Sequence, residues 1–502
     1  EAGKITTSSP EALKYYIEGR RLILKMEPEQ GIAYMEKAVK IDPEFAMAYR
    51  AMGTAHRYLG HAAEMRKNLK KALDLSDRLP ENERLFIEAL WLGLGEEDYA
   101  KAIEVLERLL KIYPGHTMGH SWLAVSYWYV GNLDKAIEHA ELVFQSLKTA
   151  DAVNDLATYY VDKELYQKAE DLCRSFLRDV EDNAYIHRTL SWSYLLQRQF
   201  DLAVAEAEKA YLLNPTAMKV WMGMVLLCKD DFAGAAKMFG GEEDLLARGK
   251  FNKNVNQCQQ YLEESKGDKE KERDAYLGLV GVLEKAGRYE EASRAFDQYL
   301  KLSAEYRKSI GDSGMPYLPS QQKSDLFIRG RIQAEMKRFD EARTTAEGLK
   351  SLIEKGINTK ELRWYEGILG LIELGKKDYR QAADLLSRAC GRLQSESEWS
   401  LVVASNSSAS FFDNLARALY ELGDLDKARK TYAKITLLTL GRISDEDIYA
   451  KAFYMLGKIA EQQGDKVRAR DNYRKFLDLW KDADPGLPEV ADAKKRLEGL
   501  KD

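Results

Sequence analysis

Residues Ala12-Leu13-Lys14-Tyr15, followed by Gly19, Gly31, Met35, Ala38 and Pro43, decide how the rest of the chain is read. Counted from Ala12 as position 1, Tyr15 falls at 4, the two glycines at 8 and 20, Met35 at 24, Ala38 at 27 and Pro43 at 32. Small residues at 8 and 20 let two antiparallel helices approach closely, and bulky ones at 4 and 24 fill the space to either side. Proline at 32 stops the second helix, because it has no N–H to continue the ladder. A hairpin of this kind cannot cover its own apolar face. It needs a neighbour on each side, so the spacing predicts a stack of helix pairs.

The spacing recurs from Ala46, Glu83, Thr117, Ala150, Ala184 and Thr216. It lapses after Gly240-Gly241, through a polar run ending near Arg273, and returns from Arg273, Lys323, Arg363, Ala409 and Ala450. The period of about 34 residues resembles the tetratricopeptide repeat (TPR). That resemblance implies an all-α solenoid of antiparallel hairpins wound into a right-handed superhelix. The expected organisation is a lead-in over 1–11, with Ser9 capping a helix that starts at Pro10, and a first sub-solenoid over 12–240. A degenerate hairpin or joint follows over 241–272, then a second sub-solenoid over 273–486 with insertions near 306–322 and 391–408. Residues 487–502 form a polar capping helix, which an open stack needs for solubility.

The 502 residues carry a formal net charge of only -5, too little field for a general phosphate-backbone binder, so no nucleic-acid partner is expected. Cys173, Cys228, Cys258 and Cys390 stand far apart with no C-x-x-C spacing and read as small hydrophobes. Unpaired cysteines lean toward a cytoplasmic setting. No apolar run reaches the roughly 20 residues of a membrane span. The chain begins at Glu1, which is expected of a processed product or a portion of a longer chain, and such processing or an upstream anchor would place it outside the cytoplasm.

No catalytic constellation stands out: G-x-x-x-x-G-K-[ST], H-E-x-x-H and G-x-S-x-G are all missing. Asp231-Phe232-Ala233-Gly234 echoes a kinase D-F-G but falls at a hairpin turn. His116 and His120 have the i, i+4 spacing of a metal pair, yet His120 holds the packing position 4 of its repeat. The expectation is therefore no enzyme, no metal and no cofactor.

In a stack of TPR type, positions 2, 5, 9 and 12 to 13 of each first helix line the inner groove. Those positions place Arg50, Arg57, Trp91, Trp128, Tyr129, Asn154, Tyr185, Arg188, Trp192, Arg331 and Arg417 there. Aromatic residues and arginines dominate binding hot spots. They point to a protein or peptide partner, with acidic groups as the natural complement of the arginines. The Lys/Asn/Asn/Lys/Arg set of the carboxylate-clamp members of the family is not present, which argues against chaperone tails.

Two further segments sharpen the resemblance. Ile5-Thr6-Thr7-Ser8-Ser9-Pro10-Glu11-Ala12-Leu13-Lys14-Tyr15-Tyr16, with Asp42-Pro43-Glu44-Phe45-Ala46-Met47-Ala48-Tyr49, resembles the start of the TPR region behind the catalytic domain of some bacterial serine/threonine protein kinases. Phe476 to Pro485 is similar to the end of such arrays. The resemblance implies the sensory or interaction region of a bacterial signalling protein. The alternative is an exported structural protein that assembles with copies of itself, since an array with complementary, non-closing ends grows into filaments.

Overall fold

In the computed structural model, residues 7–179, 182–239, 248–309, 317–393 and 408–500 are described. The first hairpin explains the rest. Ser9 accepts a hydrogen bond from the Ala12 N–H and Pro10 occupies the first turn, so α1 (Pro10–Leu24) starts where the cap demands. It folds back on α2 (Pro28–Ile41), and a methyl group on Gly31 would stand 2.5 Å from Ile23 Cγ1. Only a residue without a side chain fits at that crossing.

The pattern repeats through α3 (Ala46–Tyr58) with α4 (Ala62–Asp74), α5 (Glu81–Leu90) with α6 (Tyr99–Ile112), and α7 (Thr117–Tyr129) with α8 (Leu133–Ser146). It continues through α9 (Ala150–Asp162) with α10 (Tyr166–Asp179), α11 (Ala184–Leu196) with α12 (Phe200–Leu213), and α13 (Pro215–Cys228) with α14 (Phe232–Phe239). Then come α15 (Phe251–Glu264), α16 (Lys269–Lys285) with α17 (Tyr289–Ser309), and α18 (Pro319–Glu335) with α19 (Phe339–Ile353). The last elements are α20 (Leu362–Gly375) with α21 (Tyr379–Gly391), α22 (Ser408–Glu421) with α23 (Leu425–Leu437), α24 (Glu446–Gln462) with α25 (Lys466–Leu479), and α26 (Pro488–Gly499). Among the described residues there is no strand.

Position 20 shows why the register holds. Ala102, Ala136, Ala169, Ala203, Ala235, Ala292, Ala342, Ala382, Ala428 and Ala469 are each at most 1% exposed, so a larger side chain there would drive the paired helices apart. In several hairpin turns one residue takes a left-handed conformation directly before an Asp or Asn that caps the second helix. Examples are Glu97 before Asp98, Gly131 before Asn132, Lys377 before Asp378 and Gly464 before Asp465.

Departures from the pattern have local causes. Trp91–Gly95 continues α5 as a π-helix, and Arg66 Nε donates to Gly95 O at 3.0 Å, satisfying a carbonyl the wider turn leaves open. α16 starts at Lys269, a turn ahead of the expected Arg273, because Asp268 caps it. Of the lead-in, residues 1–6 lie outside the described residues. So do the lapse at Gly240-Gly241, 241–247 of the expected degenerate hairpin or joint, 310–316 and 394–407 of the two expected insertions, and 501–502 of the expected capping helix.

The helices group into two compact units. One holds residues up to 197 with 201–218 and 356–358; the other holds 198–200, 219–355 and 359 onward. Residues 248–272, the described part of the expected degenerate hairpin or joint, belong to the second unit. A reason is visible within that unit: Arg442 donates to the Leu227 and Cys228 carbonyls at 3.0 and 3.3 Å and to Asp230 at 2.8 Å. The second unit thus joins its beginning to its end. Arg248 pairs with Asp482, the Asp484 N–H donates to Gly249 O at 3.0 Å, and the Phe251 and Trp480 rings meet edge to face.

Candidate functional site

On the inner face of the first unit, side chains from five helices converge. Arg57 and Tyr58 come from the last turn of α3, Tyr99 opens α6, and Trp122, Trp128 and Tyr129 line α7. Asp151, Asp155 and Tyr159 follow one another along α9, and Arg188 comes from α11. Tyr58 donates to the Asp151 carboxylate, tying α3 to a helix 93 residues further along. Tyr99 and Tyr129 stack with centroids 4.5 Å apart, and Trp128 meets Tyr129 edge-on at 5.0 Å.

The two guanidinium groups are the distinctive part. Arg57 lies over Trp122 at 5.3 Å and over Tyr58 at 5.6 Å; Arg188 lies over Tyr185 at 5.3 Å. Among the described residues neither forms a hydrogen bond or an ion pair, and the buried Nε of Arg57 has no partner. Ring faces hold such cations in place without using their N–H donors. Burial works against the charge on Arg57, but Tyr129, Tyr58 and Asp155 outweigh it and its pKa is raised. Burial pulls that of Arg188 down.

Two carboxyl groups share the face. Burial, helped by the neighbouring Asp151 charge and opposed by Arg57, pushes the Asp155 carboxyl up to about 7. Asp151 is raised too, by burial against the Tyr58 hydrogen bond. One helical turn apart, the two acids titrate as a pair. Protonation there changes the local charge near neutral pH.

Of the residues expected in the groove, Arg57, Trp128, Tyr129 and Arg188 come together here. Trp128 Nε1 donates to Asp162. The others in this unit serve packing. Arg50 is 6% exposed, donates to the Tyr16 hydroxyl at 3.2 Å and lies over Phe86, so it is not open to a guest. Trp91 is buried with its indole N–H on Glu96, and Asn154 is buried and accepts from Thr189 at 3.1 Å. Tyr185 and Trp192 are buried as well, Tyr185 serving as the platform for Arg188.

In the second unit, Arg331 makes two hydrogen bonds to Glu284, at 2.9 and 3.1 Å, and lies over Phe327. Arg417 is exposed and reaches Asn414 at 3.4 Å. Tyr58 and Asp151 also stand at groove positions but were not singled out from the sequence. They occupy positions 13 and 2 of their repeats, and a search for aromatics and arginines in first helices passed over the acid.

The decoys resolve locally. His116 caps α7 by accepting from Gly119 N at 2.9 Å, and His120 faces His139 with 3.0 Å between their Nδ1 atoms. Asp231 caps α14 by accepting from Gly234 N. Among the described residues no group of three or more His, Cys, Asp or Glu side chains is placed to hold a metal, and no helix is long and apolar enough to cross a membrane.

Profiles of the tetratricopeptide repeat match residues 85–116 and 414–488. A tetratricopeptide repeat protein from Parabacteroides merdae is 16% identical, over 46% of this chain and 92% of that one, with a TM-score of 0.31. The APC/C hetero-tetramer Cut9–Hcn1 is 14% identical, over 99% of this chain and 98% of that one, with a TM-score of 0.32. The IFIT1 monomeric mutant with Gppp-AAAA is 15% identical, over 94% and 91%, with a TM-score of 0.36. Comparison with curated proteins gives no match. The chain carries tetratricopeptide repeats and folds as an all-α solenoid of them.

Proposed function

We propose that this chain is a non-catalytic scaffold that binds a protein or peptide partner, and that the partner places an acidic side chain against Arg57 and Arg188. The observation that carries this is the pair of guanidinium groups on the inner face of the first unit, laid on aromatic rings and, among the described residues, without carboxylate partners. Guanidinium is shaped to receive a carboxylate through parallel hydrogen bonds, and its value rises where water is partly excluded. Tyr58, Tyr99 and Tyr129 supply rigid contact area around it.

Selection from a phage-displayed library of random dodecapeptides at pH 6.5 tests this. Recovered peptides should be rich in Asp and Glu, and their binding should fall at least tenfold on Arg57→Gln combined with Arg188→Gln. Peptides without acidic enrichment, or binding indifferent to both substitutions, would overturn the reading.

The kinase-associated resemblance of residues 5–16 and 42–49 supports a narrower proposal, that this scaffold is the interaction region of a bacterial signalling protein. An effector domain encoded upstream in the same reading frame is the expected result; a frame encoding only repeats would count against it.

A further inference from the structure

Asp155 is already the anion of this face. Along α9 it is flanked by Asp151 one turn before and Tyr159 one turn after. Arg57 and Tyr58 face it from α3, and Arg188 from α11. Tyr58, next to Arg57 on α3, donates to Asp151 one turn before it, and Thr189, next to Arg188 on α11, donates to the adjoining Asn154, so geometry sets Asp155 between the two arginines. It makes no ion pair with either arginine among the described residues, so both cations attract it while keeping their donors. A partner's carboxylate arriving here would be the third acid around two guanidinium groups, in a setting where burial already disfavours negative charge.

Resting on the acidic-partner reading, we propose that Asp155 is an internal counter-ion whose neutralisation accompanies binding. The partner's carboxylate takes up the field of Arg57 and Arg188 while Asp155 accepts one proton from solvent, so affinity rises as pH falls. The balance is simple: one carboxylate and one solvent proton give one carboxylic acid, with no other bond made or broken. In the free protein Asp155 changes charge close to neutrality, so the proton costs little to take on near pH 7. Ordinary Asp and Glu of a bound peptide titrate several pH units lower and do not mask the effect.

The test uses the strongest acid-containing, histidine-free dodecapeptide from the selection above, labelled with fluorescein, and a copy with every Asp and Glu replaced by its amide. Anisotropy titrations run from pH 6.5 to 8.5 on the full chain and on Asp155→Asn. The wild-type affinity should fall at least fivefold across that range. Asp155→Asn should bind as tightly at pH 8.5 as the wild type does at pH 6.5, with no slope.

Parallel pH profiles for the two proteins would overturn the counter-ion proposal while leaving the acidic-partner reading intact, provided the amide copy does not bind. An amide copy that binds equally well would overturn both. Calorimetry of the wild type at pH 7.5 in two buffers of different ionisation enthalpy gives a measure free of any substitution. Uptake near one proton supports the proposal, and uptake near zero sinks it.

Discussion

Several buried cations of the second unit are handled differently from Arg57 and Arg188 of the first. In the second unit cations meet carboxylates directly: Arg331 with Glu284 at 2.9 Å, Lys285 with Asp445, Lys451 with Asp447 at 3.3 Å, and Arg442 with both Asp230 and Glu446. In the first unit Arg57 and Arg188 rest on ring faces and form no ion pair among the described residues. The same repeat supplies both. A buried ion pair fixes two stretches of chain against each other and is costly to break from one side. A stacked guanidinium is held in position with its hydrogen bonds unspent, which suits a visitor. On the proposed reading, charge pairing separates the part of the array that holds itself together from the part that would receive a partner.

Four substitutions probe that contrast. The largest effect is expected at Arg442, whose guanidinium is shared by Asp230, Glu446 and two backbone carbonyls. Arg442→Met should lower stability by ~3–5 kcal/mol in urea denaturation, the cost of removing one member of a buried pair. A loss below about 1 kcal/mol would mean the second unit is closed by something else.

Arg331→Gln comes next. It leaves the partly buried Glu284 without its cation, and a cost of ~1–3 kcal/mol follows.

Asp155→Asn should act in the other direction, and only above a certain pH. The folded carboxyl titrates near 7 against an ordinary value of 3.8, so the folded state holds more protons between those limits and stability falls as pH rises through them. The amide has no such loss. The variant should match the wild type near pH 4 and exceed it by ~1–2 kcal/mol at pH 8, a figure reduced for the partial exposure of this face. Equal stability at both pH values would remove Asp155 from the account.

The smallest change is predicted for Arg57→Gln. Losing a stacked, unpaired cation should alter stability by less than about 1 kcal/mol, well short of Arg331→Gln. If the two arginines cost the same, the distinction between paired and unpaired charges fails.

The hairpin register was legible because each repeat reports on its immediate neighbour. Gly31 and the alanines at position 20 are small for a reason that lies a few residues away in space and in sequence. The π-helix at Trp91–Gly95 was not legible, since it hangs on Arg66 reaching a carbonyl 29 residues on. The junction made by Arg442 spans 212 residues to Asp230, and no periodic signal carries information over that distance. Arg57 and Arg188 were found by helical position, whereas their burial, their ring platforms and the acids between them depend on how five helices converge. Arg50 occupies a groove position by count yet is consumed by Tyr16 and Phe86 of the adjoining hairpins.

The junction between Arg442 and residues 227–230 also sets how many hairpins can lie between them. Most repeat arrays lengthen or shorten freely, because each module touches only the next. A duplication or deletion of one hairpin between Asp230 and Arg442 would carry the guanidinium away from the carbonyls that wait for it. The contact thus ties the number of hairpins between Asp230 and Arg442 to one value.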